Sequence, residues 1–590
     1  MSLKDLISPF YVWKRAFSKP YTTRKPLKER PGANRYRGFH KNDLEKCIGC
    51  GSCEMICQNA AIDMVPVEGI ETQYSDSGLR PKIDYGRCCW CALCVDICTT
   101  GSLTMSNEYI WINSDADVFR FVPGNENKTW DTVEPGYQRS EGYELLDKAR
   151  VEMKMLSPEE SIQSFLEMVK GYAREEAEKE AMRCVECGLC IATCPAHMNI
   201  PGYIKAVREG DLAKGIELLY ETNPLPATCG RICTHRCEDV CSLGVLGEPI
   251  AIRWLKRFLI DQIDQSELKQ KIISDYPENG KKVAIIGSGP GGLSAAYYLR
   301  KLGYRIKIFE SEEKAGGMIR YGVPEYRMPY DQLDKDIETI LNLGIEIEYN
   351  RKVGADLDFR KVYDDFDAVF FSTGLTVPYK LEIEGEDLNG VLDGLDILEK
   401  FTRGINLELG KKVAVIGGGN VAMDAARTAR RLGADVTLLY RRREEDMPAD
   451  AEEIQESHNE GVKFITQAIP VKLEKAGDQL KLIWNKAEMV DQGAGKRPRP
   501  VPLEDEIHEL KMDNLISAIG QGPDYSFLGE DISNKLKFHR YKVITNEYGQ
   551  TSLLKIFAGG DIVNSTADAI SAIADGHKAA KGIDYFLNRN

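Results

Sequence analysis

Seventeen cysteines fall between Cys47 and Cys241, and the 349 residues after them contain none. Three runs repeat the spacing Cys-x2-Cys-x2-Cys-x3-Cys: Cys47, Cys50, Cys53 and Cys57; Cys88, Cys91, Cys94 and Cys98; Cys184, Cys187, Cys190 and Cys194. A fourth run, Cys229, Cys233, Cys237 and Cys241, places a thiol at every fourth residue. A single Cys-x-x-Cys pair reads first as zinc. The threefold repeat is instead the spacing of [4Fe–4S] ligation. Disulfide frameworks belong to small secreted domains, which a chain of 590 residues is not. In paired clusters of this spacing the fourth cysteine of each run ligates the other cluster. Cluster one is therefore expected on Cys47, Cys50, Cys53 and Cys98, and cluster two on Cys88, Cys91, Cys94 and Cys57. Gly49 and Gly51 let the backbone wrap tightly and aim amides at sulfur. Cys89 is left over as a spare thiol.

Two glycine-rich turns follow. In the first, an apolar strand leads into Gly287-Ser-Gly289-Pro290-Gly-Gly292 and then a helical pattern. Glycines there allow the tight turn and a close approach to a pyrophosphate, and the helix N-terminus supplies amides to it. The next strand, 304–309, ends at Glu310, 23 residues after Gly287, where an acid suits a ribose hydroxyl pair. The second turn reads Gly417-Gly-Gly419-Asn420-Val421-Ala422. Its next strand ends at Tyr440, again 23 residues on, and Arg441, Arg442 and Arg443 follow. Arginine suits a 2′-phosphate, so this site is expected to take NADP(H). The competing reading is a solvated charged face beside Glu444 and Glu445, with NAD(H) as the cofactor.

The elements that position these groups form several domains. A hydrophobic content of 43% can build several cores. The net charge of −14 excludes a nucleic-acid partner, which needs a basic face. No apolar run is long enough for a transmembrane span and no secretory signal is visible, which points to the cytoplasm. Residues 1–46 nevertheless carry +8, leaving −22 for the remainder, a split that marks a docking end. Residues 1–20 are loosely amphipathic; they are expected to pack on the chain itself or a partner, with peripheral membrane contact the sharper alternative. The expected layout is a basic extension (1–40), a two-[4Fe–4S] domain (41–106) and a linker (107–157). A helical two-[4Fe–4S] domain (158–265) follows, entered by a helix over 158–183. Last comes an α/β part with an FAD domain in two pieces (280–400 and 513–590) around a NAD(P) domain (401–512).

Three resemblances refine this. The head, with Arg35-Tyr-Arg-Gly-Phe-His40, resembles the α+β two-cluster ferredoxin subunit of respiratory complex I and membrane-bound hydrogenases. It departs at Gln58 and Thr99, where proline usually follows the fourth cysteine. Residues 184–262 resemble the helical iron–sulfur domain of the glutamate synthase small subunit and of dihydropyrimidine dehydrogenase, through Cys194-Pro195, Asn199-Ile-Pro201, Thr222-Asn223-Pro224 and Gly230-Arg231-Ile-Cys233. That resemblance implies cluster three on Cys184, Cys187, Cys190 and Cys241, and cluster four on Cys194, Cys233 and Cys237. The family's fourth ligand to the latter, a Glu or Gln, aligns with Lys256, which cannot ligate iron. Four clusters need sixteen thiolates, so Cys229 is expected to replace it; the other reading is an inert buried Cys229 with a water or backbone ligand on iron.

The two glycine turns, about 130 residues apart, with Gly559-Gly560-Asp561 near the end, resemble two-dinucleotide-binding-domain flavoproteins. Gly316-Gly317, Ser372-Thr373-Gly374, Asn420-Val-Ala-Met-Asp424 and Asp575-Gly576 extend the match to the glutamate synthase small-subunit branch. The resemblance implies that FAD lies on Gly287, Gly289, Pro290, Gly292, Glu310, Gly317, Thr373, Gly374, Gly560, Asp561 and Ala567. It places NADP on Gly417, Gly419, Asn420, Val421, Arg441 and Arg442. No side chain reads as a catalyst, and His577 reads as a helix cap, so FAD itself is the reactive group. The expected function is an NADPH-dependent electron-transfer subunit serving a ferredoxin or a partner subunit, in a low-oxygen setting. The alternatives are a wiring scaffold with a minor nicotinamide site, and a glutamate synthase small subunit, against which the ferredoxin head argues.

Overall fold

The computed structural model describes residues 12–19, 32–70, 76–140, 145–264, 276–493 and 496–589. Most of the amphipathic start at 1–20 lies outside them; within it Val12, Trp13 and Phe17 are exposed. The chain divides into two compact units, Met1–Ala149 with Val240–Glu248, and Arg150–Asp239 with Pro249–Asn590.

In the first unit, strand His40–Asn42 pairs antiparallel with Leu103–Met105. A second sheet joins Ile62–Pro66, Leu79–Asp84 and Arg120–Phe121. A fold whose centre is given to thiols has little room for aliphatic bulk, and aromatic rings supply the core. Phe39 stacks on Trp130 at 4.3 Å, and Trp90, Trp111 and Phe121 close around them. Much of this comes from the stretch expected to be a linker. Strand Arg120–Phe121 joins the sheet and Trp130 is 1% exposed, so the start of 107–157 belongs to the head's core. The segment has no periodicity to announce this, because rings on irregular backbone do the packing.

The second unit holds two parallel sheets. The first runs in the order Ile556–Ala558, Ala368–Phe371, Lys282–Ile286, Arg305–Phe309, Glu346–Glu348. The other runs Val391–Asp393, Asn514–Ser517, Lys412–Ile416, Asp435–Tyr440, Lys463–Thr466. Central strands such as Val283–Ile286 and Val413–Ile416 are buried throughout, as continuous apolar runs covered on both faces must be. The chain leaves the first sheet and returns through a short antiparallel pair, Val377–Pro378 with Gln521–Gly522. Strands of the second sheet run from Val391 to Ser517, outside the expected limits 401 and 512. A three-residue strand carries too short a pattern to be read in advance. An antiparallel sheet, Ala468–Ala476, Gln479–Val490 and Arg499–Met512, is appended.

The helix expected over 158–183 is two helices, Pro158–Ser161 and Arg174–Met182. Ser157 and Glu160 cap the first reciprocally, and the chain then opens. The intervening residues are used in packing: Glu167 bonds Arg231 at 2.9 Å, and the Met168 amide donates to the Tyr326 carbonyl. His577 is not a cap either. It lies inside helix Ala569–Arg589 and stacks on Tyr298 at 3.7 Å, where burial lowers its pKa to about 4.

Candidate iron–sulfur and dinucleotide sites

The three repeated cysteine runs share one backbone course. Left-handed residues occur two, four and thirteen positions after each first cysteine. They are Gly49, Gly51 and Ala60; Trp90, Ala92 and Gly101; Glu186, Gly188 and His197. A short helix starts straight after the second of these each time, at Ser52, Leu93 and Leu189. The third donates its amide to the carbonyl of the run's fourth cysteine, with distances of 3.0 Å from Ala60, 3.3 Å from Gly101 and 2.8 Å from His197. Non-glycine residues held left-handed cost about 1–2 kcal/mol each. Trp90, Ala92 and Glu186 accept it where the first run has glycine or where glycine would be free. The course turns amides inward: Trp90 N–H lies 3.4 Å from the Cys88 sulfur, and Glu186 N–H 3.4 Å from the Cys184 sulfur. An ion pair to Arg208 holds the Glu186 side chain. Amides aimed at thiolates are what an iron–sulfur cluster needs around it, so the donor set fits.

In the first unit, burial pushes the Cys53 thiol up, and thiols of Cys50, Cys94, Cys98 and Cys47 around it add to the shift. Cys94 is likewise pushed up by burial, with Cys88, Cys91 and Cys57 as its neighbours. The last cysteine of each run thus lies among the thiols of the other. His40, buried and lowered to about 4 by that burial, has Nε2 3.3 Å from Cys94 Sγ. Cys89 and Cys91 are both exposed.

In the second unit Cys190 and Cys194 are buried, with Cys184 and Cys187 half-buried beside them in sequence. Cys241 belongs to the strip grouped with the first unit, where it precedes the 3-10 turn Ser242–Val245. Tyr203, fully buried, has Cys237, Cys190, Cys194 and Cys233 about its phenol. Lys256 sits on helix Ile252–Asp261, which presents nine of ten residues to the interior. It is 5% exposed, and no carboxylate among the described residues is within ion-pair range of it. Burial works against its charge, but Cys233, Cys229, Cys194 and Cys237 surround the ammonium and hold its pKa above the ordinary lysine value. Cys229, on helix Pro226–Ile232, is wholly buried, which pushes its thiol up; Lys256, Cys233 and Asp336 neighbour it.

The first glycine turn is a cradle. A Cβ on Gly292 would fall 2.0 Å from the Gly287 carbonyl oxygen, so the third glycine is fixed by the turn folding onto the helix Pro290–Lys301. A Cβ on Gly289 or Gly374 would meet nothing within 4 Å. Gly317 comes against Gly289, Thr373 against Gly287, and the Thr373 hydroxyl is buried without a partner. Open space above the glycines and an orphaned hydroxyl beside them fit a pyrophosphate-bearing cofactor. Glu310 ends the neighbouring strand, 5% exposed, accepting from the Ser288 amide at 2.8 Å, its hydroxyl, and the Glu312 amide at 2.9 Å. Gly560 donates to Asp575, and burial pushes Asp561 up to about 6 against the pull of Lys542. Ala567 is left-handed, its amide bonded to Asn564, and Asp568 then receives the Ser571 amide at the start of helix Ala569–Arg589. The other Asp568 oxygen has no hydrogen-bond partner and lies 3.8 Å from Arg236, between Cys233 and Cys237.

In the second turn Gly417 and Gly419 lead into helix Asn420–Arg431, with Asn420 accepting from the Asp450 amide and Val421 following. Ala422 replaces the third glycine, and the Ser517 hydroxyl nearby in the sheet is buried without a partner. The three arginines separate. Arg443 pairs with Asp446 at 3.0 Å and Glu445 at 3.2 Å, which is the solvated-face arrangement. Arg442 donates to the Pro498 carbonyl at 2.9 Å. Arg441 is exposed with no hydrogen-bond or ion-pair partner among the described residues. Sequence reasoning missed the role of Arg327: it leaves the first sheet's region to bind Asp424 at 2.7 Å and Glu453 at 2.8 Å, both on helices of the second. A buried charge in the run Arg327-Met-Pro329, with an acid at Asp424, was the available signal.

Residues 281–576 match the pyridine nucleotide-disulphide oxidoreductase family. Residues 161–268 match the dihydropyrimidine dehydrogenase domain II, 4Fe-4S cluster family, and residues 46–102 the 4Fe-4S dicluster domain. The NADP(+)-dependent formate dehydrogenase subunit beta of Moorella thermoacetica is 37% identical over 68% of this chain and 60% of its own length. The NADPH-Fe(3+) oxidoreductase subunit beta of Geobacter sulfurreducens is 36% identical over 68% of this chain and 63% of its own. The chain thus spans about three-fifths of the length of these two relatives. The glutamate synthase [NADPH] small chain of Escherichia coli is 32% identical over 75% of this chain and 98% of its own. No helix among the described residues is long and apolar enough to cross a membrane. With two dinucleotide cradles behind paired 4Fe-4S domains, the chain belongs to the pyridine nucleotide-disulphide oxidoreductase family, in the branch of iron–sulfur flavoproteins that includes the glutamate synthase small chains.

Proposed function

We propose that the chain is the nicotinamide-oxidising subunit of a redox complex, moving electrons between NADPH and a protein acceptor through FAD and four [4Fe–4S] clusters. The carrying observation is the meeting of two sites in one unit: Asp568, at the helix start beside Gly560 and Asp561, lies 3.8 Å from Arg236, which stands between Cys233 and Cys237 in the chain. A flavin cradle and a cluster cradle so joined suit short-range electron transfer. FAD, when bound there, supplies the exchange between a two-electron hydride and single electrons. The protein's own part is positioning. Glu310 and the Gly287 turn hold the dinucleotide, Arg441, without a partner among the described residues, offers its guanidinium to a 2′-phosphate, and the Arg327–Asp424–Glu453 contacts fix one nucleotide domain against the other.

The first unit is proposed to hold clusters one and two with crossed ligation, and the second to hold cluster four on Cys194, Cys233, Cys237 and Cys229. The NAD(P) domain is read as an insertion in the FAD domain, since the chain enters and leaves it through the paired strands Val377–Pro378 and Gln521–Gly522. A cytoplasmic, low-oxygen setting suits exposed cluster ligands. NADPH added to the isolated, cluster-loaded chain is expected to bleach the flavin stoichiometrically and then reduce the clusters. No bleaching would leave a wiring scaffold with a silent nicotinamide site as the better reading.

A further inference from the structure

Three features of the first unit converge on one place. Cys91 is the exposed ligand candidate of the second run, while Cys47 and Cys94 are buried. Beside it opens a concavity of about 500 Å³ with Arg35, Arg37, Asp96 and Tyr137 on its walls. Arg35 and Arg37 both lie over the Tyr137 ring, 4.9 Å and 5.0 Å from its centre. Tyr137 is itself anchored, its hydroxyl donating to the buried Asp96 carboxylate at 2.8 Å. Both arginines are exposed, and neither has an acidic partner among the described residues. The one carboxylate on the wall is engaged with the phenol.

Two guanidiniums preset on an aromatic ring, with their charge unspent, form a rigid positive rim at an exposed cluster ligand. The rim therefore attracts carboxylates of an approaching protein at short range and orients it on Cys91. A small anion would be held by a closed pocket with paired donors; this rim is open and set by a ring rather than by a fork. We propose that the Arg35–Arg37–Tyr137 face beside Cys91 is the docking site of an acidic electron-carrier protein. This rests on the proposed function above. One NADPH gives up a hydride, releasing NADP⁺; its two electrons leave singly to two one-electron carrier molecules and one proton goes to solvent.

The test follows NADPH-driven reduction of a purified acidic [4Fe–4S] ferredoxin by the full, cluster-loaded chain in stopped flow, across ionic strength. Reduction of menadione, a neutral quinone, runs in parallel. The unaltered chain is expected to reduce the ferredoxin faster at low salt. Arg35→Glu with Arg37→Glu is expected to slow that second-order step about tenfold or more and flatten its salt dependence. Menadione reduction and the clusters' EPR signals should not change. Arg35→Lys with Arg37→Lys keeps the charge and should restore most of the rate. Ferredoxin reduction that is absent in the unaltered chain, independent of salt, or as fast in the double Glu variant overturns the docking site. Failure of menadione reduction in the unaltered chain would instead overturn the proposed function.

Discussion

Replacing Lys256 by leucine removes one buried positive charge from among Cys194, Cys229, Cys233 and Cys237. Lys256 is 5% exposed and unpaired by any described carboxylate, so solvent and counter-charge screen it little. At an effective dielectric of about 20, two unit charges about 4 Å apart interact by about 4 kcal/mol, and by about 2 kcal/mol at twice that distance. About 2 kcal/mol on a one-electron couple is close to 90 mV, given that 59 mV is a tenfold change. A positive charge favours the reduced, more negative state of a cluster. The midpoint potential of cluster four is therefore expected to fall by roughly 90 mV in Lys256→Leu. Potentiometric EPR titration of the isolated chain measures this, with the other three clusters as internal references. The same charge has a second consequence. With the metal stripped by chelation under reducing conditions and the thiols protonated, Lys256 becomes an uncompensated buried charge, which is costly by several kcal/mol. Stripped Lys256→Leu should then unfold at higher denaturant than stripped wild type, while the loaded forms reverse that order. An unchanged or raised potential for cluster four would refute the reasoning, because it would place the ammonium away from the cluster.

Further expectations rest on other contacts. Cys229→Ser should change the Mössbauer spectrum of cluster four while leaving three clusters untouched; an intact, unaltered fourth cluster would return Cys229 to the status of an inert buried thiol. Arg441→Ala should raise the KM for NADPH by about tenfold to a hundredfold, the range for losing a charged hydrogen bond, with little effect on NADH. Arg443→Ala should do neither, since Asp446 and Glu445 already hold that guanidinium; equal effects on both nucleotides would remove the 2′-phosphate reading. Asp336 caps helix Pro226–Ile232 by accepting from Ala227 and Thr228, and burial raises its pKa from 3.8 to about 7. The native state keeps that proton to higher pH than the unfolded chain. Asp336 therefore favours the fold at low pH and loses that contribution as pH rises through about 7, with a slope of up to about 1.4 kcal/mol per pH unit. Denaturation midpoints of Asp336→Asn measured from pH 4 to 7 should lack that slope; an unaltered slope would show that another group titrates.

The ligand chemistry was legible in the one-dimensional chain because it is local. A cluster loop needs thiols at fixed short spacing, and a pyrophosphate turn needs glycines between a strand and a helix, so Cys47 to Cys57 and Gly287 to Gly292 announce themselves. The common left-handed course at Trp90, Ala92 and Glu186 was not legible, because those residue types do not ask for it; the thiols they surround impose it. The same limit hid the packing of residues 107–137, whose rings act across irregular backbone, and the break in the helix over 158–183, where Glu167 is drawn to Arg231 and Arg257. Three adjacent arginines looked equivalent in sequence, and only the fold gave Arg443 two acids, Arg442 a carbonyl and Arg441 no partner among the described residues. Sequence by itself determined which cofactors this chain can hold, since coordination and phosphate binding are written in neighbouring residues. Tertiary structure decided which charges are free, which are buried, and which site meets which: the ammonium of Lys256 among four thiols and Asp568 against Arg236 join segments tens to hundreds of residues apart, and no local pattern encodes a long-range contact.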